Sequence, residues 1–434
     1  MKAKIKKTQG ICGEIQVPGD KSISHRALIL GAIASEHTTI ENCLDAEDCI
    51  STMEALKSVG TDITREGNRV FIHGMAGKLK EPENIIDCGN SGTTIRLLSG
   101  LFAAQPIYTV LTGDSSLRKR PMDRIIKPLA LMGAEISARG NNRYPPITIK
   151  GTTLKGINYR MPVASAQVKS CIILASLFSE GPSSIEEPFL SRDHTERMVR
   201  YFGGDIEREN LVINIKGKQQ LNGRYVFIPG DFSSAAYFIA AALLSEQSCL
   251  KIKNLGLNPT RTGLLDVISR MGAEVKISAL KEVSGEPSGN IEITGGIKLK
   301  GIEILPSEIP GIIDEIPLIA TIASVADGRT SISGAGELKV KESDRLNAIS
   351  TELEKMGARI KATDDGLEID GVEHLQGCRV NSWKDHRIAM SLAIAALKAS
   401  GTTVIEDFEC VNISFPSFPE LLSATGVDIT LERY

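Results

Sequence analysis

In "GDKSISHRALILGAIAS", residues 19–35, the charged and hydroxyl side chains of Asp20, Lys21, Ser22, Ser24 and Arg26 run straight into an almost unbroken apolar segment. An element apolar on every side should be buried. An ammonium, a guanidinium and two hydroxyls at its start are then costly to dehydrate unless they are paired. The same kind of polar launch recurs in "GNSGTTIR", "SAQVKS", "GDFSSAA", "DEIP" and "DHRIAM". Ser, Asp and Asn there are helix N-cap types, and a helix start offers unpaired N–H groups at its positive end. Capping does not account for Lys21, Arg26, Arg96 or Arg387, because cations are unfavourable at that end. A ligand carrying phosphate or carboxylate groups would account for them.

Three further stretches bear on the chemistry. "GDSSLRKRPMDR" places Arg118, Lys119, Arg120 and Arg124 in a turn-rich loop, either a solvated face or an arginine grip on an anion. "KVKESDRL" brings Lys341, Glu342 and Arg345 together, with Lys341 and Arg345 spaced to share a helix face if the segment is helical. In "DEIP", the adjacent Asp314 and Glu315 stand where other launches carry neutral or basic groups. A carboxylate among cations stays ionised and can take a proton from a hydroxyl, although a simple N-cap is the competing reading.

The bulk properties narrow the classes. A net charge of -3 and 4% aromatic content argue against a nucleic-acid partner. The basic start "MKAKIKKTQG" lacks the apolar core of a secretory signal, and no apolar run is long enough to span a bilayer. A cytoplasmic location with no membrane partner is expected. Eight scattered cysteines without a CxxC pair are expected to be reduced and mostly buried. No Cys/His cluster, HExxH, Walker loop or GxGxxG is present, so neither a metal nor a nucleotide cofactor is expected.

A repeat organises these residues. "SVGTDI", "LMGAEI", "YFGGDI", "RMGAEV", "KMGARI" and "ATGVDI" each put a Gly after an apolar helix end and before an Ile or Val. The six glycines, Gly60, Gly133, Gly203, Gly272, Gly357 and Gly426, are spaced 73, 70, 69, 85 and 69 residues apart. The pattern predicts a left-handed helix C-cap followed by a strand, and a launched helix lies between successive marks. The fold class is therefore α/β, with six units in two domains of three. A boundary near "FIPGD" and a first launch at Asp20 divide the chain into residues 1–19 plus 230–434, and residues 20–229. Cations needed from both halves point to a multiply anionic small molecule bound between them, with closure on binding.

Together, "GDKSISHR", "GNSGTTIR", "LRKRPM", "SAQVKS", "SRDHTERM", "KESDRL" and "DHRIAM" resemble the 5-enolpyruvylshikimate-3-phosphate synthase family in their order and over nearly the whole chain. The resemblance implies two lobes of three βαβαββ units with the active site in the cleft. It also implies transfer of the enolpyruvyl group of phosphoenolpyruvate to the 5-hydroxyl of shikimate 3-phosphate, by addition and elimination, without a cofactor. By the same resemblance, Lys21, Ser22, Arg26, Ser165, Gln167, Ser191, Asp314 and Lys341 contact shikimate 3-phosphate. Lys21, Gly92, Arg120, Gln167, Arg345 and Arg387 contact phosphoenolpyruvate. Asp314 takes the hydroxyl proton, Glu342 serves the enol methylene, and Lys21 completes the catalytic set. The resemblance implies a monomer, with glyphosate as an inhibitor class.

The chain departs from that pattern in places. A Lys that some members carry just before the C-terminal Phe-Pro is missing, with Ile413 near its place. Glu337 stands for an Asn, "SAQ" replaces "SSQ", and Arg192 could replace a Tyr contact after Ser191. These variants resemble the branch described as less sensitive to glyphosate, yet Gly92 is retained, so the response is left open. A sister enolpyruvyl transferase acting on UDP-N-acetylglucosamine fits less well. Its first motif reads Lys-Asn rather than Lys21-Ser22, and the loop 113–122 lacks that family's cysteine. A non-catalytic anion binder would explain the cations but not Asp314 and Glu342 among them. An RNA-processing enzyme is disfavoured by the low aromatic content.

Overall fold

The computed structural model describes residues 1–433. It contains six four-stranded sheets, and at least five share one pairing: a parallel edge pair followed by two antiparallel neighbours. The second repeat shows the unit. Strand Ile86–Asp87 leads into helix Gly92–Ala103, then strand Tyr108–Thr112, helix Asp123–Leu131, and strands Glu135–Ala138 and Tyr144–Lys150. The parallel pair joins Ile86 to Leu111 across the helix, as a βαβ crossover requires.

The chain divides into two compact units, residues 19–229 with 282–286, and residues 1–18, 230–281 and from 287 onward. Gly19 and residues 282–286, expected with residues 1–19 and 230–434, group instead with residues 20–229. Two strands explain why one unit is discontinuous. Strand Lys2–Lys6 lies between Thr402–Glu406 and Ile429–Glu432, and strand Cys12–Ile15 runs parallel to Cys249–Gly256. In the other unit, Tyr225–Phe227 runs parallel to His37–Glu41 and completes its first sheet. Each unit has its own apolar core.

All six repeat glycines adopt the left-handed conformation, with φ of +90, +96, +88, +99, +88 and +101°, each just ahead of a strand. The helices that follow the launches are central. Helix Lys21–Ile33 is buried at every position from Ile23 onward, and every residue of Phe232–Leu244 is buried. Helices Gly92–Ala103 and Ala166–Ser176 approach so closely that a Cβ on Gly100 would lie 2.1 Å from the Cys171 carbonyl oxygen. The eight cysteines are free thiols, five of them buried. Among the described residues, no helix is long and apolar enough to cross a membrane, and no group of three or more His, Cys, Asp or Glu is placed to hold a metal ion.

Candidate active-site residues

In the unit of residues 19–229, three helix starts are capped by side chains. Asp20 accepts from the Ile23 amide at 2.9 Å, Ser91 from Thr94 at 3.1 Å and Ser165 from Val168 at 3.4 Å. Side-chain bonds tie these starts together. His25 Nδ1 meets Thr52 Oγ1 at 2.7 Å, and Thr52 meets Thr94 at 2.6 Å, linking the helices of Lys21 and Gly92. Arg96 donates to Gln167 Oε1 at 2.7 Å, and Gln167 donates to Thr93 at 3.0 Å, linking those of Gly92 and Ser165.

Arg26 and Arg120 each reach neutral oxygens. Buried Arg26 donates to Thr195 Oγ1 at 2.6 Å, Ser170 Oγ at 2.7 Å and the Ser22 carbonyl at 2.8 Å. Dehydration dominates its surroundings and lowers its pKa to about 10, against the pull of Glu196 and Asp20. Arg120 donates to Asn90 Oδ1 at 2.5 Å and, with Arg96, borders Gly92. Lys21 meets a carboxylate, its Nζ lying 2.6 Å from Asp48. The basic loop splits: Arg120 is buried, whereas Arg118 and Lys119 are exposed as a solvated face would be. Ser191 is buried, and its hydroxyl donates to Glu187.

The second unit centres on Arg345. Its Nε meets Asp385 at 2.8 Å, one terminal nitrogen meets Glu342 at 2.6 Å and the other meets Asp314 at 3.5 Å. The two candidate acid/base carboxylates thus flank a single guanidinium. Arg387 reaches the other Asp314 oxygen at 3.5 Å and the Asp314 carbonyl at 3.3 Å. Burial opposes the charge of each arginine, but Asp385 and Glu342 around Arg345, and Asp314 around Arg387, raise both pKa values above the usual guanidinium value. Burial alone would raise the Asp385 carboxyl; Arg345 outweighs it and holds that group below its usual value.

Three expectations need correction here. Arg345 is the first residue of helix Arg345–Lys355, and Lys341 lies before it, just after the turn Gly336–Val340, so the two do not share a helix face. Arg345 is buried, which excludes an ordinary surface pair. The simple N-cap reading of "DEIP" fails as well, since Glu315 makes no side-chain cap bond and Asp314 meets two arginines instead. Ile413 packs against the apolar core, and Asn412 beside it is exposed. Asp48, Asp385 and Thr93 were missed as partners of site residues. Only Asp385 carried a signal, as a cap-type residue at a launch, where it does accept from the Arg387 amide at 2.9 Å.

The family model described as EPSP synthase (3-phosphoshikimate 1-carboxyvinyltransferase) matches residues 5–422. A curated relative from Thermoanaerobacter sp. (strain X514), named 3-phosphoshikimate 1-carboxyvinyltransferase, is 51% identical over 418 residues, covering 96% of this chain and 98% of that protein. A relative of the same name from Geobacillus kaustophilus is 49% identical over 409 residues, 94% of this chain and 96% of that one. Among solved structures, an EPSP synthase from Acinetobacter baumannii is similar with a TM-score of 0.88 at 42% identity, covering 99% of this chain and 100% of that chain. With these likenesses spanning both units and all six repeats, the chain belongs to the EPSP synthase (3-phosphoshikimate 1-carboxyvinyltransferase) family.

Proposed function

We propose that this chain transfers the enolpyruvyl group of phosphoenolpyruvate to the 5-hydroxyl of shikimate 3-phosphate and releases phosphate, a step of aromatic amino acid biosynthesis. The observation that carries the residue-level reading is Arg345, which joins Asp314 and Glu342 within one unit. The reaction needs two proton-transfer groups near a bound anion. Asp314 takes the proton of the 5-hydroxyl as its oxygen bonds to C2 of phosphoenolpyruvate. Glu342 delivers a proton to C3, so the methylene becomes a methyl. Collapse breaks the C2–phosphate bond, the departing phosphate carrying away the proton that Asp314 took up, and a methyl proton returns to Glu342, restoring the double bond.

The tetrahedral intermediate keeps both the carboxylate and the phosphate of phosphoenolpyruvate. Arg120, Arg345 and Arg387, with Lys21 and Gln167, can hold it unchanged through both steps. Gly92 leaves room for that group beside Arg96 and Arg120. Lys21, Ser22, Arg26, Ser165, Gln167, Ser191 and Lys341 hold shikimate 3-phosphate. The same reading has the enzyme acting as a cytoplasmic monomer.

The reaction run in D2O tests the scheme. Reversible protonation at C3 requires deuterium in the methylene of the product, detected by NMR. A product formed at normal rate with no deuterium would refute addition and elimination through Glu342.

A further inference from the structure

Two neighbouring residue pairs in the unit of residues 19–229 face a cluster of buried charge. Lys169 and Ser170 lie on helix Ala166–Ser176, and Thr195 and Glu196 on helix His194–Tyr201. Lys169 Nζ stands 2.9 Å from Glu196 and 3.1 Å from Glu187, and all three side chains are 0% exposed. Arg208 closes the group, 2.9 Å from Glu187 and 2.5 Å from Glu196. The cluster has two charges of each sign.

A buried ion cluster is a poor way to gain stability, because dehydration offsets the attraction and apolar residues of similar volume do as well. This one leaves Glu196 Oε2 without a hydrogen bond, a further cost. What it touches is more informative. Lys169 donates to the Ser191 carbonyl at 3.3 Å, and Glu187 accepts from the Ser191 hydroxyl. The cluster therefore grips both the main chain and the side chain of one residue. The adjacent Ser170 and Thr195 hydroxyls bond to each other at 2.6 Å and receive Arg26 at 2.7 and 2.6 Å.

We propose that Lys169, Glu187, Glu196 and Arg208 form a positioning cluster for the shikimate 3-phosphate part of the site. It fixes Ser191 directly, and it fixes Arg26 through Ser170 and Thr195. The inference rests on the function proposed above. None of the four is a catalytic residue. Their effect is to hold two ligand-binding groups in one geometry before the ligand arrives, which lowers the ordering cost of binding.

A double-mutant cycle tests this. Shikimate 3-phosphate binding is measured by calorimetry, without phosphoenolpyruvate, for wild type, Glu187→Gln, Ser191→Ala and the double variant. Thermal midpoints are recorded in parallel. Glu187→Gln and Ser191→Ala should each weaken binding roughly tenfold. The double variant should then be within about threefold of the weaker single variant, not at the roughly hundredfold product. Unchanged affinity in folded Glu187→Gln, whatever its melting temperature, or a fully multiplicative double variant, would overturn the proposal. If Glu187→Gln does not fold, Arg208→Gln at the cluster's outer edge replaces it. Its loss of binding should shrink in a Ser191→Ala background to the part carried through Arg26, and persistence of the full loss there would also overturn the cluster's role. Failure of wild type to bind the ligand sinks the functional reading and this one with it. Wild-type binding with an insensitive Glu187→Gln sinks the cluster alone.

Discussion

Gly92→Ala perturbs the phosphoenolpyruvate subsite at one atom. A Cβ there would lie 2.7 Å from Arg96 Nη1 and 3.2 Å from Arg120 Nη1. The first distance is ~0.7 Å short of ordinary contact, so both guanidiniums must move. The backbone at Gly92 is helical and not left-handed, so alanine brings no backbone strain and can add about 0.5 kcal/mol to helix stability. Arg96 is tied to Gln167 at 2.7 Å, which carries the displacement across the subsite. A charged hydrogen bond is worth about 1.5–3 kcal/mol, and loss of half of one raises KM for phosphoenolpyruvate roughly 4- to 12-fold. Glyphosate, with its own carboxylate and phosphonate, depends on the same groups, so its inhibitory concentration should rise as well. The assay is phosphate release at saturating shikimate 3-phosphate with phosphoenolpyruvate varied, repeated with glyphosate. Unchanged KM and unchanged inhibition in a folded Gly92→Ala protein would refute the assignment of this subsite.

Other substitutions probe the second unit and the fold. Asp314→Asn should lower kcat by roughly 10²–10⁴ with little change in melting temperature, and near-normal turnover would remove Asp314 as the base. Asp385→Asn keeps an oxygen for the Arg387 amide but breaks the buried pair with Arg345. It should cost about 3 kcal/mol of stability and weaken phosphoenolpyruvate binding, both read by calorimetry. Burial, with Lys21 and Arg26 nearby, holds the His25 imidazole well below its usual value. The unfolded chain therefore binds a proton that the folded chain refuses, and stability falls as the pH drops below ~6.5, by at most ~1.4 kcal/mol per pH unit from this group. His25→Gln should flatten that slope in denaturant titrations between about pH 6.5 and 4.5, whereas an unaltered slope would contradict the burial argument. Cys12 and Cys249 are exposed and in register on neighbouring parallel strands. Mild oxidation should link them and remove two titratable thiols, which full retention of both would disprove.

What the sequence disclosed was local. The glycine that ends each helix and the Ser or Asp that caps the next act within three or four residues, so their types state their geometry. The expected return of the leading segment to the far half was legible because the first launch begins only at Asp20. What it joins was not: Lys2–Lys6 pairs with strands near residues 402 and 429, a register set by tertiary packing. The same limit explains the errors at the site. Lys341 and Arg345 invited a helical pairing because spacing was the only information, but the helix starts at Arg345. For Asp314 the cap reading stayed open beside the acid/base one, because its partners, Arg345 and Arg387, lie far along the chain. Asp48 gave no sign of meeting Lys21, since nothing in "AEDCI" distinguishes it from a solvated acid.

The most direct measurement is phosphate release from phosphoenolpyruvate with shikimate 3-phosphate, beside a parallel reaction with UDP-N-acetylglucosamine, each with chelator present. Turnover with the shikimate ester alone is the predicted result, and it should be lost in Asp314→Asn. Release with only the nucleotide sugar, or with neither acceptor, would contradict the account.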